Sequence, residues 1–314
     1  MNGRPAVSER RRALQDFVAQ ELDQPVSPLV RAMADVIRQR FGAAATAVLF
    51  YGSCLRRPET QLGDSLLDFY VLVDDYRRAY PTALPAWANH LLPPNVFYLE
   101  LEHGGTILRA KYAVISQQQF ARGTSPAAPN VSLWARFCQP VRLVWSRDSL
   151  AAAAAAAACS EAVLTMLAAW GAQPTAPNMA LSEDDILQRW IGGFQETYRA
   201  ELRPEGSDRA VQIVAVDAAR YQQITPLAQA VLAEQPQPDN ARSAWRRSRL
   251  LGKLFNIARL AKATFTFEGG LDYALWKIAR HSGITVEVTD WQRRHPLLSA
   301  PGLAWRLYRR GAFR

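Results

Sequence analysis

Two apolar segments constrain the fold of this 314-residue chain more than any other feature. They are ATAVLFYG (45–52) and LDFYVLVD (67–74), and both are nearly continuous runs of β-branched, aromatic and other apolar side chains. A strand with one solvated face alternates apolar and polar residues, whereas a strand covered on both faces does not. The two segments therefore predict strands of a sheet that is buried on both sides.

Three more strands are predicted before residue 148: VFYLELE (96–102), ILRAKYAVIS (107–116) and VRLVWS (141–146). The alternation in FYLELE predicts one buried face, with Glu100 and Glu102 together on the other. Apolar periodicity predicts one or two helices before the sheet, within residues 8–41, and residues 75–92 are predicted to be a helix or loop over it.

After residue 148 the pattern changes from mixed α/β to helix. Helices are predicted at 149–170, 182–202, 217–233, 241–262 and 270–281. The first is mostly alanine, which partitions weakly into lipid, so we expect it to pack against the protein and not to span a membrane. The organisation predicted is an α/β domain (1–148), a helical domain (149–296), and an amphipathic basic helix (297–314) that either binds an anionic membrane surface or docks on the protein.

Composition favours phosphate-bearing partners. The net charge is +9 and nearly all the positive charge is arginine, whose guanidinium binds phosphate through two parallel hydrogen bonds. Nucleotides, nucleic acids and anionic lipids are all such phosphate-bearing partners. An arginine-rich proteome would give the same charge without any of them.

Three cysteines without paired spacing argue against a disulfide framework or a structural zinc site and suit a reducing cytoplasm. The N-terminus lacks the apolar stretch of a secretory signal.

Gly52 and Ser53 follow the first apolar strand, and Asp68 opens the second. Glycine permits a tight turn whose N–H groups and a serine hydroxyl can hold phosphate oxygens, although such turns are common and weak evidence alone. A carboxylate on the neighbouring strand adds a ligand for the Mg²⁺ that phosphoryl and nucleotidyl transfer require. The pair therefore predicts a nucleotide site, with capping of the strand start as the alternative for Asp68.

Further acids could complete a metal site. Asp64 on the loop, and Glu100 or Glu102 on the next strand, are the candidates. Asp74 and Asp75 lie at the far end of the second strand, roughly 20 Å away at about 3.3 Å per residue, and are expected to cap the next helix.

Two other sets of residues could bind phosphate. Lys111 lies inside an apolar strand, where it either faces solvent on an edge strand or binds phosphate. Tyr198, Glu201 and Arg203 belong to the segment ETYRAELRPE (196–205), which could equally form ordinary helical salt bridges on a solvated face.

These pieces resemble two groups of enzymes. Nucleotidyltransferases of the polymerase-β-like superfamily often carry Ser-Asp-x-Asp at the second strand, and here Ser65-Leu66-Leu67-Asp68 keeps only the second acid. The chain also resembles the mitochondrial-type phosphatidate cytidylyltransferases (translocator assembly and maintenance proteins), over roughly residues 45–290. That family carries Tyr-Gly-Ser, a single-Asp strand, a Lys-Tyr-Gly-Val-Ile strand and Tyr…Glu/Asp-x-Arg. Here these are Tyr51-Gly52-Ser53, Leu67-Asp68-Phe69, Lys111-Tyr112-Ala113-Val114-Ile115, and Tyr198 with Glu201 and Arg203. Ala113 and Cys54 stand where the family has glycine.

The resemblance implies a nucleotidyltransferase mixed-sheet domain followed by an all-helical C-terminal domain, with the active site in the cleft between them. It implies a Mg²⁺-dependent bacterial enzyme that makes CDP-diacylglycerol and pyrophosphate from CTP and phosphatidic acid on the cytoplasmic face of the cell membrane, with no nucleic-acid partner.

Together, the residue patterns and the resemblance predict four groups of site residues. Asp68 and Lys111 are catalytic; Tyr51, Gly52, Ser53 and Tyr112 bind nucleotide; Tyr198, Glu201 and Arg203 bind the lipid phosphate; and Asp68, Glu100 and Glu102 bind metal. Two alternatives stay open: a transferase with a small-molecule, protein or RNA acceptor, and a degenerate nucleotide-binding protein without activity.

Overall fold

A computed structural model of the chain describes residues 4–170, 181–201, 207–234 and 286–294, with isolated positions at 262, 271, 275, 299, 302–303, 305–306 and 309. The described chain is an α/β structure built on a mixed five-stranded sheet. Strands β1 to β5 are Ala45–Tyr51, Leu66–Val73, Asn95–His103, Thr106–Ser116 and Val141–Ser146. All five predicted strands are therefore confirmed, with ends that differ by at most one residue.

The sheet order is β3-β4-β2-β1-β5, which places β4, β2 and β1 in the interior and β3 and β5 at the edges. β1 pairs antiparallel with both β2 and β5, and β3 pairs antiparallel with β4. β2 and β4 are parallel, and a parallel pair needs a crossover connection. Two helices, both within residues 75–92 that were predicted to cover the sheet, and then β3 lie along the chain between these two strands.

Eleven helices, α1 to α11, are described: Arg4–Leu22, Pro28–Gln39, Tyr76–Ala79, Ala83–Leu91, Gln117–Thr124, Trp134–Phe137, Ser149–Trp170, Glu183–Glu201, Ser207–Val216, Ala218–Leu232 and Asp290–Arg294. The predicted helices at 149–170, 182–202 and 217–233 are confirmed as α7, α8 and α10. α5, α6, α9 and α11 were not predicted from the sequence. The predicted helices at 241–262, 270–281 and 297–314 lie outside the described residues, apart from isolated positions.

Both faces of the sheet are covered, as the apolar strands require. On one face, α2 packs Met33 and Ile37 against a core that contains Phe50, Phe69 and Tyr112. Ser27 caps α2 by accepting a hydrogen bond from the Leu29 amide, and Pro28 fills its first turn, where a missing N–H costs nothing.

On the other face, one core joins α1, the sheet and α5 to α10, and so continues across residue 148. Its central helix is α7, whose alanines lie close against the sheet and neighbouring helices. By length and composition α7 could cross a membrane, but 67% of its most apolar window is buried inside the protein. The expectation that this helix packs against the protein is met by these contacts.

Candidate functional site

The strand register brings four polar or aromatic side chains into one row on the α7 face of the sheet. Tyr51 pairs with Asp68, Asp68 with Lys111, and Lys111 with Tyr98. Directly paired residues point to the same face of a sheet. Two residues further along, the corresponding row is apolar and buried in the core, as Leu49, Tyr70 and Ala113 show. The Asp68 row therefore lies at the margin of the core, where a ligand can reach it.

Asp68 and Lys111 form an ion pair in the centre of this row. The Lys111 ammonium lies 3.2 Å from Asp68 Oδ1, and the two side chains are 37% and 26% exposed. Asp68 Oδ1 is buried and accepts no hydrogen bond, so the ammonium is its ionic neighbour without ideal hydrogen-bond geometry. Since β4 is an interior strand, Lys111 is not the solvent-facing residue of an edge strand.

Gly52 lets the turn after β1 approach the Asp68 carboxylate. Its φ of 89° lies in the region that glycine favours, and a Cβ atom there would come within 3.4 Å of Asp68 Oδ2. Ser53 follows, exposed at the start of the 3₁₀ turn Ser53–Arg56. The structure thus brings together Gly52, Asp68 and Lys111.

Cys54 anchors this turn to the base of β2. Its thiol donates to the Leu66 carbonyl at 3.2 Å. Burial, followed by the negative charge of Asp68, raises the pKa of the Cys54 thiol. The thiol therefore stays protonated and acts as a packing and hydrogen-bonding group, not as a nucleophile.

The structure does not bring the three predicted metal ligands together. β4 lies between Asp68 on β2 and Glu100 and Glu102 on β3, which separates those strands by about 10 Å. Glu100 instead pairs with Arg109 at 3.1 Å and accepts a hydrogen bond from the Tyr98 hydroxyl at 2.6 Å. Glu102 is exposed beyond it. Within the described residues, no three His, Cys, Asp or Glu side chains are placed to share an ion.

Tyr112 faces away from the site. It is 1% exposed in the core on the α2 face, where its ring stacks on Phe97 and its hydroxyl accepts a hydrogen bond from Arg40. Because neighbouring residues of a strand point to opposite faces, Tyr112 cannot share a face with Lys111. The predicted nucleotide contact through its side chain is corrected accordingly. Tyr51, in contrast, lies in the Asp68 row with its ring against Tyr70 and Phe137.

The predicted lipid-phosphate residues are only partly described. Tyr198 is buried at 7% exposure in the core that contains α7, α8 and α10. The Arg199 side chain pairs with Glu196 one turn earlier, as expected for an ordinary salt bridge on α8. The Glu201 side chain and all of Arg203 lie outside the described residues.

The predicted helix cap at the far end of β2 is confirmed. Asp75 accepts a hydrogen bond of 2.6 Å from the Arg77 amide at the start of α3. Asp74 pairs with Arg78 and Arg147. Neither acid belongs to the Asp68 row.

Two features of the site were missed from the sequence. Arg109, two residues before Lys111 on the same face, donates to the Gly63 carbonyl at 3.2 Å and so holds the β1–β2 loop. Arg56, at the end of the turn that starts with Ser53, pairs through two nitrogens with Asp217 at the start of α10. Arg109 could have been predicted to share the face of Lys111, because the two residues are two positions apart on one strand. The Arg56–Asp217 pair joins residues 161 positions apart and could not be predicted from a local sequence pattern.

No protein-family model matches the chain, and no curated protein sequence matches it significantly. The chemistry of the site therefore carries the functional argument.

A divalent cation would find one carboxylate here, Asp68, with a buried oxygen that accepts no hydrogen bond. Mg²⁺ commonly keeps several waters and binds through one or two carboxylates together with substrate phosphates. The residues thus fit a cation that arrives with a nucleotide, and they do not form a complete protein cage. A backbone turn and an ammonium can bind a polyphosphate, and the carboxylate can bind the cation that accompanies it.

Proposed function

We propose that the protein is a Mg²⁺-dependent nucleotidyltransferase that converts CTP and phosphatidic acid to CDP-diacylglycerol and pyrophosphate. The observation that supports it best is the meeting of the Gly52 turn, Asp68 and Lys111 on three neighbouring interior strands. The choice of CTP and phosphatidic acid rests on the sequence resemblance.

Each of these residues has a distinct role in the proposed reaction. The N–H groups after Gly52 and the Ser53 hydroxyl hold triphosphate oxygens, and the Lys111 ammonium neutralises phosphate charge. Asp68 would hold Mg²⁺, which when bound neutralises charge on the triphosphate and orients it for in-line attack. Arg109 and Cys54 position the loop and the turn.

The proposed acceptor needs little chemical help. A phosphate monoester is largely ionised at neutral pH, so it attacks the α-phosphorus without a general base, and the bond to the pyrophosphate oxygen breaks. The site residues therefore have to bind and orient the reactants while neutralising their charge. We place the reaction on the cytoplasmic surface of the cell membrane, with residues 297–314 as the membrane-binding segment.

The experiment compares two aspartates, Asp68 near the start of β2 and Asp74 directly after its end. Purified protein is incubated with CTP, Mg²⁺ and phosphatidic acid, and CDP-diacylglycerol is measured for wild type, Asp68→Asn and Asp74→Asn. We expect Asp68→Asn to lower the rate by about a hundredfold or more, the usual effect of losing a transition-state charge partner. Asp74→Asn changes a carboxylate at the far end of β2 and should leave the rate within about threefold of wild type.

Equal rates for the two variants would exclude a catalytic role for Asp68. If wild type forms no product with phosphatidic acid, a screen of small-molecule, protein and RNA acceptors with each nucleoside triphosphate tests the wider class of transferase.

One observation favours a second candidate function, a nucleotide-binding protein without activity. The Lys111 ammonium is itself a cation beside Asp68, so nucleotide could bind without Mg²⁺. Calorimetry with CTP, with and without Mg²⁺, separates the two: a transferase should bind at least about tenfold more tightly with the metal, and a degenerate binder should not respond to it.

A further inference from the structure

Five charged side chains from four parts of the fold meet beyond edge strand β5, on the side of the Gly52 turn away from Lys111. They are Glu21 of α1, Arg56 of the turn, Arg142 of β5, and Asp217 and Arg220 at the start of α10. We call these five residues the arginine cluster. Tertiary folding alone assembles it, since its members span almost 200 residues of sequence.

Both acids of the arginine cluster already have partners. Asp217 forms an ion pair with Arg56 through two hydrogen bonds, one of them from Arg56 Nε to Asp217 Oδ1 at 3.0 Å. Glu21 forms an ion pair with Arg220, with 2.6 Å between Arg220 Nε and Glu21 Oε1. Arg220 also donates a hydrogen bond to the Cys138 carbonyl at 3.0 Å. The side chains of Arg220 and Glu21 are only 9% and 14% exposed, so this second pair is largely removed from water.

Arg142 is the third guanidinium, and it has only neutral acceptors. It donates to the Gln24 side chain and to the Val141 carbonyl. No carboxylate in the described parts of the chain forms an ion pair with it. Burial first, and the nearby charges of Arg56 and Arg220 with it, lower the pKa of Arg142 against the opposing effect of Glu21 and Asp217. The cluster therefore holds three cations and two anions.

A partly buried cation without a counterion is costly, and a bound anion would offset that cost. The Tyr221 hydroxyl, on the residue that follows Arg220, is fully buried and makes no hydrogen bond. An anion at the cluster would offer acceptor oxygens to the Arg142 guanidinium.

The excess charge lies at the edge of the sheet, next to the end of β1 and the turn that begins at Gly52. Arg142 pairs with Phe50, two residues before Gly52, while Asp68 pairs with Tyr51 from the other side of β1. Phe50 packs in the core on the α2 face, so Arg142 leaves β5 on the face opposite Asp68 and Lys111. Arg56, in the turn that follows Gly52, connects the arginine cluster to the proposed nucleotide site. Guanidinium forks match the geometry of phosphate oxygens.

We propose that Arg142, supported by Arg56, forms a second anion-binding subsite that takes a phosphate group. Its assignment within a reaction rests on the proposed function, which offers two sources for that group: the phosphate monoester of the acceptor, or the terminal phosphates of the nucleotide. The binding of phosphate itself does not depend on any transfer activity.

The test measures binding by calorimetry, without turnover. The probes are glycerol 3-phosphate, as a soluble phosphate monoester, and CTP without metal. The proteins are wild type, Arg142→Gln, Arg142→Lys and Arg147→Gln. Arg147 follows the other end of β5 and pairs with Asp74 and Asp148, so it is a matched control for loss of one arginine.

We expect Arg142→Gln to weaken one probe about tenfold, the effect of losing a charge-assisted hydrogen bond, with Arg142→Lys intermediate and Arg147→Gln like wild type. Loss confined to glycerol 3-phosphate assigns the subsite to the acceptor, and loss confined to CTP assigns it to the nucleotide. In wild type, phosphate should also raise Tm above its value in chloride at equal ionic strength. If Arg142→Gln and Arg147→Gln bind both probes equally well, or if phosphate leaves Tm unchanged, the subsite does not exist, whatever the transfer assay shows.

Discussion

At the scale of single residues, strand alternation decides which side chains can act together. Lys111 and Tyr112 are adjacent in sequence, yet one pairs with Asp68 and the other is buried on the α2 face. The sequence indicated Gly52 and Asp68 as neighbours because each stands at a strand end. It left Lys111 open between solvent and phosphate, and only the family resemblance implied a place for Lys111 beside them. It could not show that Glu100 would pair with Arg109, because that depends on which strand lies beside β3.

Gly52 gives a prediction at this scale. Replacement by alanine strains a backbone with φ of 89° and sets a methyl group against the Asp68 carboxylate. We expect Gly52→Ala to lower the free energy of unfolding by about 1–2 kcal/mol and to weaken CTP binding at least about tenfold. Urea unfolding and calorimetry measure the two effects.

Gly105→Ala is the matched control. Gly105 also has a positive φ, of 75°, but an added Cβ there meets no atom within 4 Å, and it lies in the β3–β4 turn. The Gly105→Ala variant should lose about as much stability as Gly52→Ala and should bind CTP with wild-type affinity. An equal loss of affinity in both variants would show that backbone strain, and not contact with Asp68, weakens binding.

At the scale of helices and strands, apolar periodicity located the long elements and missed the short ones. α6 has four residues, and α5 and α9 have eight and ten, too few to establish a 3.6-residue repeat. Tyr76 shows how a short helix is held. On α3, its hydroxyl accepts from the Ser116 amide at 2.7 Å and donates to Gln119 at 2.5 Å, which joins α3 to the end of β4 and to α5.

Tyr76 predicts a specific dependence of stability on pH. Burial, only partly offset by the hydrogen bond from Ser116, raises the pKa of Tyr76 to about 12, compared with about 10 in an unfolded chain. Because the native state holds the proton more tightly, this contribution is fully present below about pH 10 and is lost as the pH rises to about 12.

Tyr76→Phe should therefore be less stable than wild type at pH 8, by about 1–3 kcal/mol, because the Ser116 amide is left buried without an acceptor. Between pH 10 and 12 its stability should fall less steeply than that of wild type. Urea midpoints measured across this range make the comparison. If the stabilities of the two proteins depend on pH in the same way, the pKa of Tyr76 does not differ between the native and the unfolded state.

At the scale of the whole molecule, the helical half completes the core of the sheet. The α7 face buries Leu49, Tyr70 and Ala113 in the same core as Trp190 and Tyr221. Ion pairs also cross residue 148: Arg11 pairs with Glu161 at 2.6 Å, and Glu21 pairs with Arg220. The change from α/β to helical sequence at that residue therefore marks a change of secondary structure within one continuous core.

We expect residues 1–148 alone not to fold cooperatively, because one face of their sheet would be exposed to water. Near-ultraviolet circular dichroism should show no fixed aromatic environment, and urea should give a broad transition. The full chain serves as the control. A sharp transition with native-like aromatic signals in the fragment would show that the α/β part is an independent domain.

Local periodicity was enough to predict the strands and most of the long helices that the structure describes. Glycine and aspartate at strand ends were enough to indicate the residues at the end of β1 and the start of β2. Only the tertiary structure decided the partners: Lys111 for Asp68, Arg109 for Glu100, and Asp217 for Arg56. Strand order and the packing of distant helices set these contacts, and no local sequence pattern predicts either of them. The arginine cluster belongs wholly to this second class, since a charge acquires or lacks a partner only when the chain has folded.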